Sequence, residues 1–187
     1  MLVRLKAFLV KAFLVLVSRR RRCAPAIALL LACGAVHAGE ARLPEPTGPI
    51  ILTVTGAVER TNRPGSAVFD ETLLGELPRH RIETTTPWTD GRRVFEGVRL
   101  GDLLDHVGAS TAQTLSARAL NDYRVSFPAA DARRHGALLA LRMDGRPLQR
   151  RGKGPIWIVY PRDGIPEIQD ERYDHRWIWQ LDSIDIR

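Results

Sequence analysis

The chain has 187 residues and a formal net charge of +7 at pH 7, and all of this excess charge lies near its start. Residues 1–38 contain seven Lys or Arg and no Asp or Glu, which leaves 21 basic and 21 acidic side chains in the remainder. Because nucleic-acid binding needs a clustered cationic surplus, the neutral remainder argues against a nucleic-acid partner. Both cysteines, Cys23 and Cys33, also lie in this first segment, so residues 39–187 offer no thiolate, disulfide or Cys-ligated metal.

The first 38 residues have the pattern of a cleaved signal peptide. Four arginines at 19–22 precede an apolar run over residues 24–35, and Val36-His37-Ala38 places small residues at the two positions that determine cleavage before Gly39. An earlier apolar run, residues 7–17, is shorter than the roughly 20 residues that a membrane-spanning helix needs. We interpret that run as the result of a start codon placed too far upstream.

A second feature of the leader leaves an alternative to simple cleavage. Leu30-Leu31-Ala32-Cys33 loosely resembles a bacterial lipobox, which would place a lipid on Cys33. The sequence therefore predicts a bacterial periplasmic protein. Its membrane association is limited to the signal peptide or to a lipid on this cysteine.

The processed chain has the length of one domain. Cleavage after Ala38 leaves 149 residues, enough for a single sizeable core. Residues 39–49 are rich in Pro and Gly and are predicted to be a linker. The domain is expected over residues 50–187.

The hydrophobic pattern then predicts mostly strands with a few short helices. Strands are expected at residues 50–58, 81–86, 114–120, 123–127, 137–143, 156–160 and 179–186, and helices at 71–77, 99–107 and 128–135. Asp70 is expected to cap the first helix, and Leu100, Leu103, Leu104 and Val107 give the second its helical spacing. The mixed order predicts an α+β fold and excludes a doubly wound parallel sheet or a helical bundle.

Three clusters have the composition of a binding site. The run from Thr84 to Gly91 combines hydroxyls with Trp88 at a strand end, which is typical of an edge strand and turn but also of a pocket rim. Asn121-Asp122-Tyr123 forms a turn whose tyrosine can reach a ligand. A basic loop contains five cations within twelve residues, which predicts either a solvated hairpin or an anion seat: Arg142, Arg146, Arg150, Arg151 and Lys153.

The histidines of the domain do not form a metal motif. His80, His106, His135 and His175 lie far apart in the sequence with no paired ligand spacing, so no metal site is predicted.

Several ordered motifs resemble the sulfite-oxidase-type molybdopterin-binding domains. Residues 95–104, FEGVRLGDLL, resemble the W-x-G-V-x-L-x-D-L-L stretch of that family. Residues 143–148, MDGRPL, and 154–161, GPIWIVYP, are similar to its N-G-x-P-L and G-x-P-x-R-x-x-x-P motifs. Residues 179–184, WQLDSI, are similar to its K-W-x-x-x-I. The resemblance spans residues 50–187 and implies a strand-rich sulfite-oxidase-like fold and molybdopterin as cofactor.

The chain departs from the family at three positions. The cysteine that ligates molybdenum in the family corresponds to Thr85, or to Thr84 or Thr86 if a gap is allowed. Since a neutral alcohol is a poor substitute for a soft thiolate, no catalytic residue can be assigned. Trp157 and Ile178 replace two cationic residues that the resemblance implies would contact the pterin phosphate.

Two functions follow from these observations. The first is an exported binding module that recognises a small anion or a periplasmic protein partner without ligating molybdenum. The alternative is an active periplasmic molybdopterin-dependent oxidoreductase with unusual metal ligation. The residues that we expect to form the site are Thr85, Thr86, Trp88, Asn121, Asp122, Tyr123, Arg151, Lys153 and Arg176.

Overall fold

Two β-sheets form the frame of the structure, a computed structural model that describes residues 42–187. These residues lie within one compact unit, Ala38–Arg187. The strands are β1 (Leu52–Gly56), β2 (Ser66–Phe69), β3 (Arg79–Thr86), β4 (Thr89–Arg99), β5 (Thr114–Ala119), β6 (Arg124–Pro128), β7 (Leu138–Met143), β8 (Arg146–Pro147), β9 (Trp157–Val159) and β10 (Leu181–Ile186). The helices are α1 (Glu71–Gly75), α2 (Leu100–His106) and α3 (Ala130–Arg134), with 3-10 helices at Arg162–Gly164, Pro166–Gln169 and Glu171–Arg176.

The first sheet has the strand order β2-β1-β10-β5-β6. In this sheet β1 and β10 are parallel neighbours, with Val54 opposite Ile184, and they join the two ends of the domain. The second sheet has the order β3-β4-β7-β8, and β9 also pairs with β7. All pairings in this second sheet are antiparallel.

Local sequence explains the elements that border the sheets. The Asp70 carboxylate accepts a hydrogen bond from the Leu73 backbone N–H at 2.8 Å and so caps α1. Leu100, Leu103 and Leu104 follow the helical spacing of α2 and are all fully buried. Gly108 adopts a φ of +74° directly after this helix, where a side chain would be strained.

One hydrophobic core joins both sheets. Fully buried side chains from β1 and β10 belong to the same cluster as those from β4 and β7, for example Val54, Ile184, Phe95 and Leu139. Phe95 meets Trp157 edge-on, with ring centroids 5.4 Å apart. Because the core is shared, the sheets position the loops at their ends relative to each other.

The predicted α+β, strand-rich fold class is confirmed, and each predicted strand and helix has a counterpart. The sequence did not predict β2, β8 or the 3-10 helices, and it did not identify the 11-residue strand β4. The first five residues of β4, Thr89 to Arg93, are polar or Gly and mostly exposed. The hydrophobic alternation that marks a strand therefore begins only near Phe95.

The predicted signal peptide and the start of the predicted linker lie outside the described residues. Within residues 42–187, no helix is long and apolar enough to cross a membrane.

Candidate functional site

Three loops from different parts of the chain surround a cavity of about 310 Å³. The β3–β4 turn supplies Trp88, and the β5–β6 turn supplies Asn121 and Tyr123. The last 3-10 helix and the segment that leads from it into β10 supply the rest of the polar and aromatic lining: Asp174, His175, Trp177 and Trp179. We call this cavity the aromatic cleft. Ala119 and Ile178 complete its lining.

Three indole rings form a continuous wall of the aromatic cleft. The ring centroid of Trp88 lies 6.0 Å from that of Trp177 and 5.5 Å from that of Trp179. Both distances are typical of aromatic rings in direct contact, so no ligand fits between these rings. Trp177 is 1 % exposed and also packs on Tyr160, whereas Tyr123 is 48 % exposed at the rim.

Local hydrogen bonds within the two turns hold the residues of the rim in place. The Thr86 hydroxyl accepts a hydrogen bond from the Trp88 N–H at 3.1 Å and lies 2.8 Å from the Thr89 hydroxyl. Asn121 accepts a hydrogen bond from the Tyr123 N–H through its side-chain oxygen at 3.2 Å. Such local bonds are typical of Asn and Thr in tight turns.

The polar groups of the cleft include one carboxylate. Desolvation raises the pKa of Asp174, although Arg162 opposes this shift with its guanidinium 3.5 Å from one carboxylate oxygen. The indole N–H of Trp177 is buried and has no hydrogen-bond partner among the described residues. The cleft thus combines an apolar wall with a few polar groups, as small-molecule sites do.

Lys153 lies behind the aromatic wall. Its ammonium nitrogen is 4.3 Å from the ring centroid of Trp179 and 4.9 Å from that of Trp157, distances suited to cation–π attraction. Partial burial lowers its pKa. Gln180 fixes the preceding loop, because its side-chain amide donates to the backbone oxygens of Arg150 and Gly152 at 2.8 and 2.9 Å.

A second cavity, of about 600 Å³, is lined in part by Lys153. We call it the basic groove; its lining includes Arg93, Arg146, Lys153 and the Gly152 backbone. Arg93 is paired with Asp144 at 3.2 Å. Among residues 42–187, neither Arg146 nor Lys153 has a carboxylate within 4.0 Å.

The threonines at the expected ligand position are all engaged with other protein groups. Thr85 donates its hydroxyl hydrogen to Asp163 at 2.5 Å, and its N–H contacts both oxygens of the same carboxylate at 3.2 Å. These hydrogen bonds lower the pKa of Asp163, together with Arg92 at 2.9 Å. Thr84 is fully buried; its hydroxyl accepts from the Asp163 N–H and donates to the Thr85 carbonyl oxygen.

These threonines do not fit a molybdenum ion. A neutral hydroxyl is a weak ligand compared with a thiolate, and each of the three is already used in hydrogen bonds within the protein. No group of three or more His, Cys, Asp or Glu residues suited to a metal ion occurs among residues 42–187.

The structure brings together only some of the residues predicted for the site. Trp88, Asn121 and Tyr123 line the aromatic cleft, and Lys153 lines the basic groove. Thr85 and Thr86 support the β3–β4 turn but line neither cavity.

The other three predicted residues lie elsewhere for identifiable reasons. Arg176 is bound by the Asp131 carboxylate and stacks over Tyr173. Asp122 forms the turn with a φ of +64° and lies 3.6 Å from Arg118. Arg151 is exposed and lines neither cavity.

Sequence reasoning missed the contribution of the segment before β10. Asp174, His175, Trp177 and Trp179 line the cleft although none was expected there. The signal that could have identified them is the closely spaced pair of tryptophans next to a charged stretch.

The fold and these motifs resemble those of oxidoreductase-like molybdopterin-binding domains of the sulfite oxidase type. Residues 75–163 match the family described as oxidoreductase molybdopterin binding domain. This match confirms the resemblance inferred from the sequence motifs, and it covers the segment from α1 to the first 3-10 helix.

A solved structure confirms the fold. The chain is similar to the sulfane dehydrogenase SoxCD from Paracoccus pantotrophus, with a TM-score of 0.54 and 21% sequence identity. The similarity covers 72% of this chain but 37% of that chain, so the present chain spans little more than a third of the length of that enzyme subunit. No curated protein matches the chain significantly.

Proposed function

We propose that this protein is an exported binding module that keeps the molybdopterin-oxidoreductase fold, does not ligate molybdenum and recognises a small anion. The site for the anion is the basic groove. The periplasm is its compartment, as the signal-peptide pattern of residues 1–38 predicts.

The observation that carries this proposal is the charge of the basic groove. Arg146 and Lys153 border it without a carboxylate partner among the described residues, although residues 39–187 contain equal numbers of acidic and basic side chains. Arg93 adds a third cation, which is paired with Asp144 at 3.2 Å. Cations left unpaired next to a glycine backbone favour an anion with several acceptor oxygens.

The hydrogen bonds around Thr85 support the non-catalytic part of the proposal. The Thr85 hydroxyl, which stands where the family has its thiolate, donates a hydrogen bond to the Asp163 carboxylate. Metal ligation by Thr85 would require breaking this charge-assisted hydrogen bond. A scaffold without its metal ligand can still bind, because function depends on the site and not on the fold.

Calorimetric titration of the processed protein with sulfate and with phosphate at low ionic strength tests the proposal. We expect saturable binding of at least one of these anions. Arg146→Gln should weaken it at least about tenfold, since one charge-assisted hydrogen bond contributes roughly 1.5–3 kcal/mol.

The matched control is Arg124→Gln, which removes an exposed arginine of β6 that lines neither cavity. This variant should bind as the parent protein does. Equal weakening in both variants, or no saturable heat from either anion, would contradict a specific anion site.

A further inference from the structure

The aromatic cleft is separate from the basic groove and has a different chemistry. Its wall is made of contacting indole rings, and its rim carries the Asn121 amide and the Tyr123 hydroxyl. The cavity of about 310 Å³ lies at the small end of the range of about 300–1,000 Å³ for small-molecule pockets.

The charges around the cleft favour a neutral ligand. An anion entering it would meet the Asp174 carboxylate, which is in the lining and already partly desolvated. A cation on the wall would lie close to Lys153, whose ammonium group is 4.3 Å from the Trp179 ring. Arg162 offsets the charge of Asp174 at 3.5 Å, so the lining has no strong net charge.

The geometry of the wall favours a ligand with a flat apolar face. Trp88 contacts both Trp177 and Trp179, with its ring inclined by 53° and 69° to theirs, so the three rings pack against one another and not around a void. A ligand can therefore stack against the wall but cannot be enclosed by it on several sides, as a quaternary ammonium group would be.

Several polar atoms of the cleft still have hydrogen-bonding capacity. Asn121 uses its side-chain oxygen for the Tyr123 N–H, which leaves its NH₂ group without a protein acceptor among the described residues. The Asp174 carboxylate has one side-chain contact, with Arg162 at 3.5 Å, and so retains acceptor capacity. Donors and acceptors on one side and an apolar wall on the other suit a ring that carries hydroxyls at its edge and C–H groups on its face.

We propose that the aromatic cleft binds a neutral saccharide ring. One C–H face of the sugar stacks on the indole wall, centred on Trp88. The hydroxyls at its edge donate to Asp174 and accept from the Asn121 amide. This site does not depend on the proposed anion site, because the two use different cavities and ligands of different charge.

Tryptophan fluorescence, supported by NMR chemical shifts, tests the saccharide site in the protein purified after expression of the full chain. The probes are glucose, N-acetylglucosamine and the N-acetylglucosamine dimer, each titrated to tens of millimolar because single-ring sugars are expected to bind with millimolar dissociation constants. We expect a saturable change with at least one sugar, and we expect sulfate neither to compete with it nor to mimic it.

Two variants and one control locate the site. Trp88→Ala and Tyr123→Ala should each raise the dissociation constant at least about fivefold, and Tyr123 is exposed enough for its replacement to leave the fold intact. Leu120→Ala is the control, since Leu120 is an exposed apolar residue of the same turn that does not line the cleft.

The outcomes separate the saccharide from other ligands. Saturable binding of tetramethylammonium chloride or of indole in place of the sugars would overturn the proposal in favour of a cation or a planar aromatic. Absence of a saturable response to all three sugars would also overturn it. An equal loss of sugar binding in Leu120→Ala would overturn the assignment to this cleft.

Discussion

Asp70 is the residue on which the start of the domain depends most. It is 1 % exposed, and its two oxygens accept three backbone hydrogen bonds, from Leu73 at 2.8 Å, Thr47 at 2.8 Å and Gly48 at 2.7 Å. The carboxylate thus caps α1 and ties the incoming chain to it. These bonds lower the pKa of Asp70, with the Leu73 N–H as the largest cause.

Replacement of Asp70 by Ala should lower the free energy of unfolding by about 2–4 kcal/mol, because a helix cap is lost and buried N–H groups are left unpaired. Urea denaturation at pH 7 measures this change. Asp90→Ala, at an exposed aspartate without hydrogen-bond partners among residues 42–187, should leave stability within about 0.5 kcal/mol of the parent. Similar losses in both variants would show that the cap contributes nothing specific.

Asp70 also gives stability a defined pH dependence. Since its pKa is lower in the folded than in the unfolded state, its contribution is fully present above about pH 4 and is lost as pH falls through the folded pKa. The free energy of unfolding of the parent should therefore fall below about pH 4 more steeply than that of Asp70→Asn. Parallel pH profiles of the two proteins would contradict this account.

Thr85 offers a second test at the residue scale. Thr85→Val keeps the shape of the side chain but removes the hydroxyl that donates to Asp163 at 2.5 Å. We expect a loss of about 1 kcal/mol in thermal or urea unfolding, and a rise in the pKa of Asp163, measurable by NMR titration, because its largest stabilising contact disappears. Thr85→Ser should keep both properties near those of the parent; a Val variant that behaves like Ser would show that this hydroxyl does not hold Asp163.

At the scale of elements, the pairing of β4 with β7 explains one family motif. Gly97, the glycine of the F-E-G-V stretch, lies where the register of this pair shifts. A Cβ atom at this position would lie 1.9 Å from the Leu139 backbone oxygen, a distance that requires the strands to separate. The motif glycine is thus required by strand packing in this chain.

Gly97→Ala should therefore destabilise the domain by about 3 kcal/mol or more, since the clash is with backbone that cannot rotate away. Gly164→Ala is the matched control, because a Cβ atom at that position meets nothing within 4 Å. Thermal unfolding of both variants measures the difference. A stable Gly97→Ala protein would contradict the register of β4 and β7.

Elements with strong local patterns could be predicted from the sequence, and the others could not. β1 alternates buried and half-buried residues, and α2 repeats leucines at helical spacing, so each was visible. β4 begins with exposed polar residues, and the 3-10 helices between Arg162 and Arg176 are too short to show a hydrophobic periodicity. Strand partners were also invisible, because the β1–β10 pair joins residues that are about 130 positions apart in the chain.

The candidate site shows the same division. Trp88, Asn121 and Tyr123 were predicted because aromatic and polar residues in tight turns are conspicuous in the sequence. Trp177 and Trp179 were not predicted, since the sequence does not show that their segment meets both turns. Arg176 looked available for a ligand, but its partner Asp131 comes from a distant helix.

At the scale of the whole molecule, the shared core predicts a single unfolding transition. Ile184 is fully buried in β10, in the first sheet. The fluorescence of Trp177 and Trp179 depends on the structure of the segment that leads into this strand. Ile184→Ala should lower stability by about 2–4 kcal/mol. Midpoints from tryptophan fluorescence and far-ultraviolet circular dichroism should fall together, whereas separate midpoints would show that the sheets unfold independently.

The domain has a sulfite-oxidase-like fold, but threonines stand where a metal-ligating cysteine is expected. Hydrogen bonds to Asp163, Thr89 and Trp88 occupy the three threonine hydroxyls at that position. The groove beside Lys153 keeps cations that suit an anion, and the aromatic cleft suits a neutral ring. Binding and not redox chemistry is therefore the function that we propose for the domain.

The most direct test is the molybdenum and pterin content of the processed protein, purified from a host that makes the cofactor, measured by mass spectrometry of the elements and by fluorescence of the released pterin. A molybdenum enzyme with an intact Cys ligand, expressed in the same host, confirms that the cofactor is supplied. We predict molybdenum far below one atom per chain. Molybdenum and pterin near one per chain would contradict the account and favour an oxidoreductase with unusual ligation.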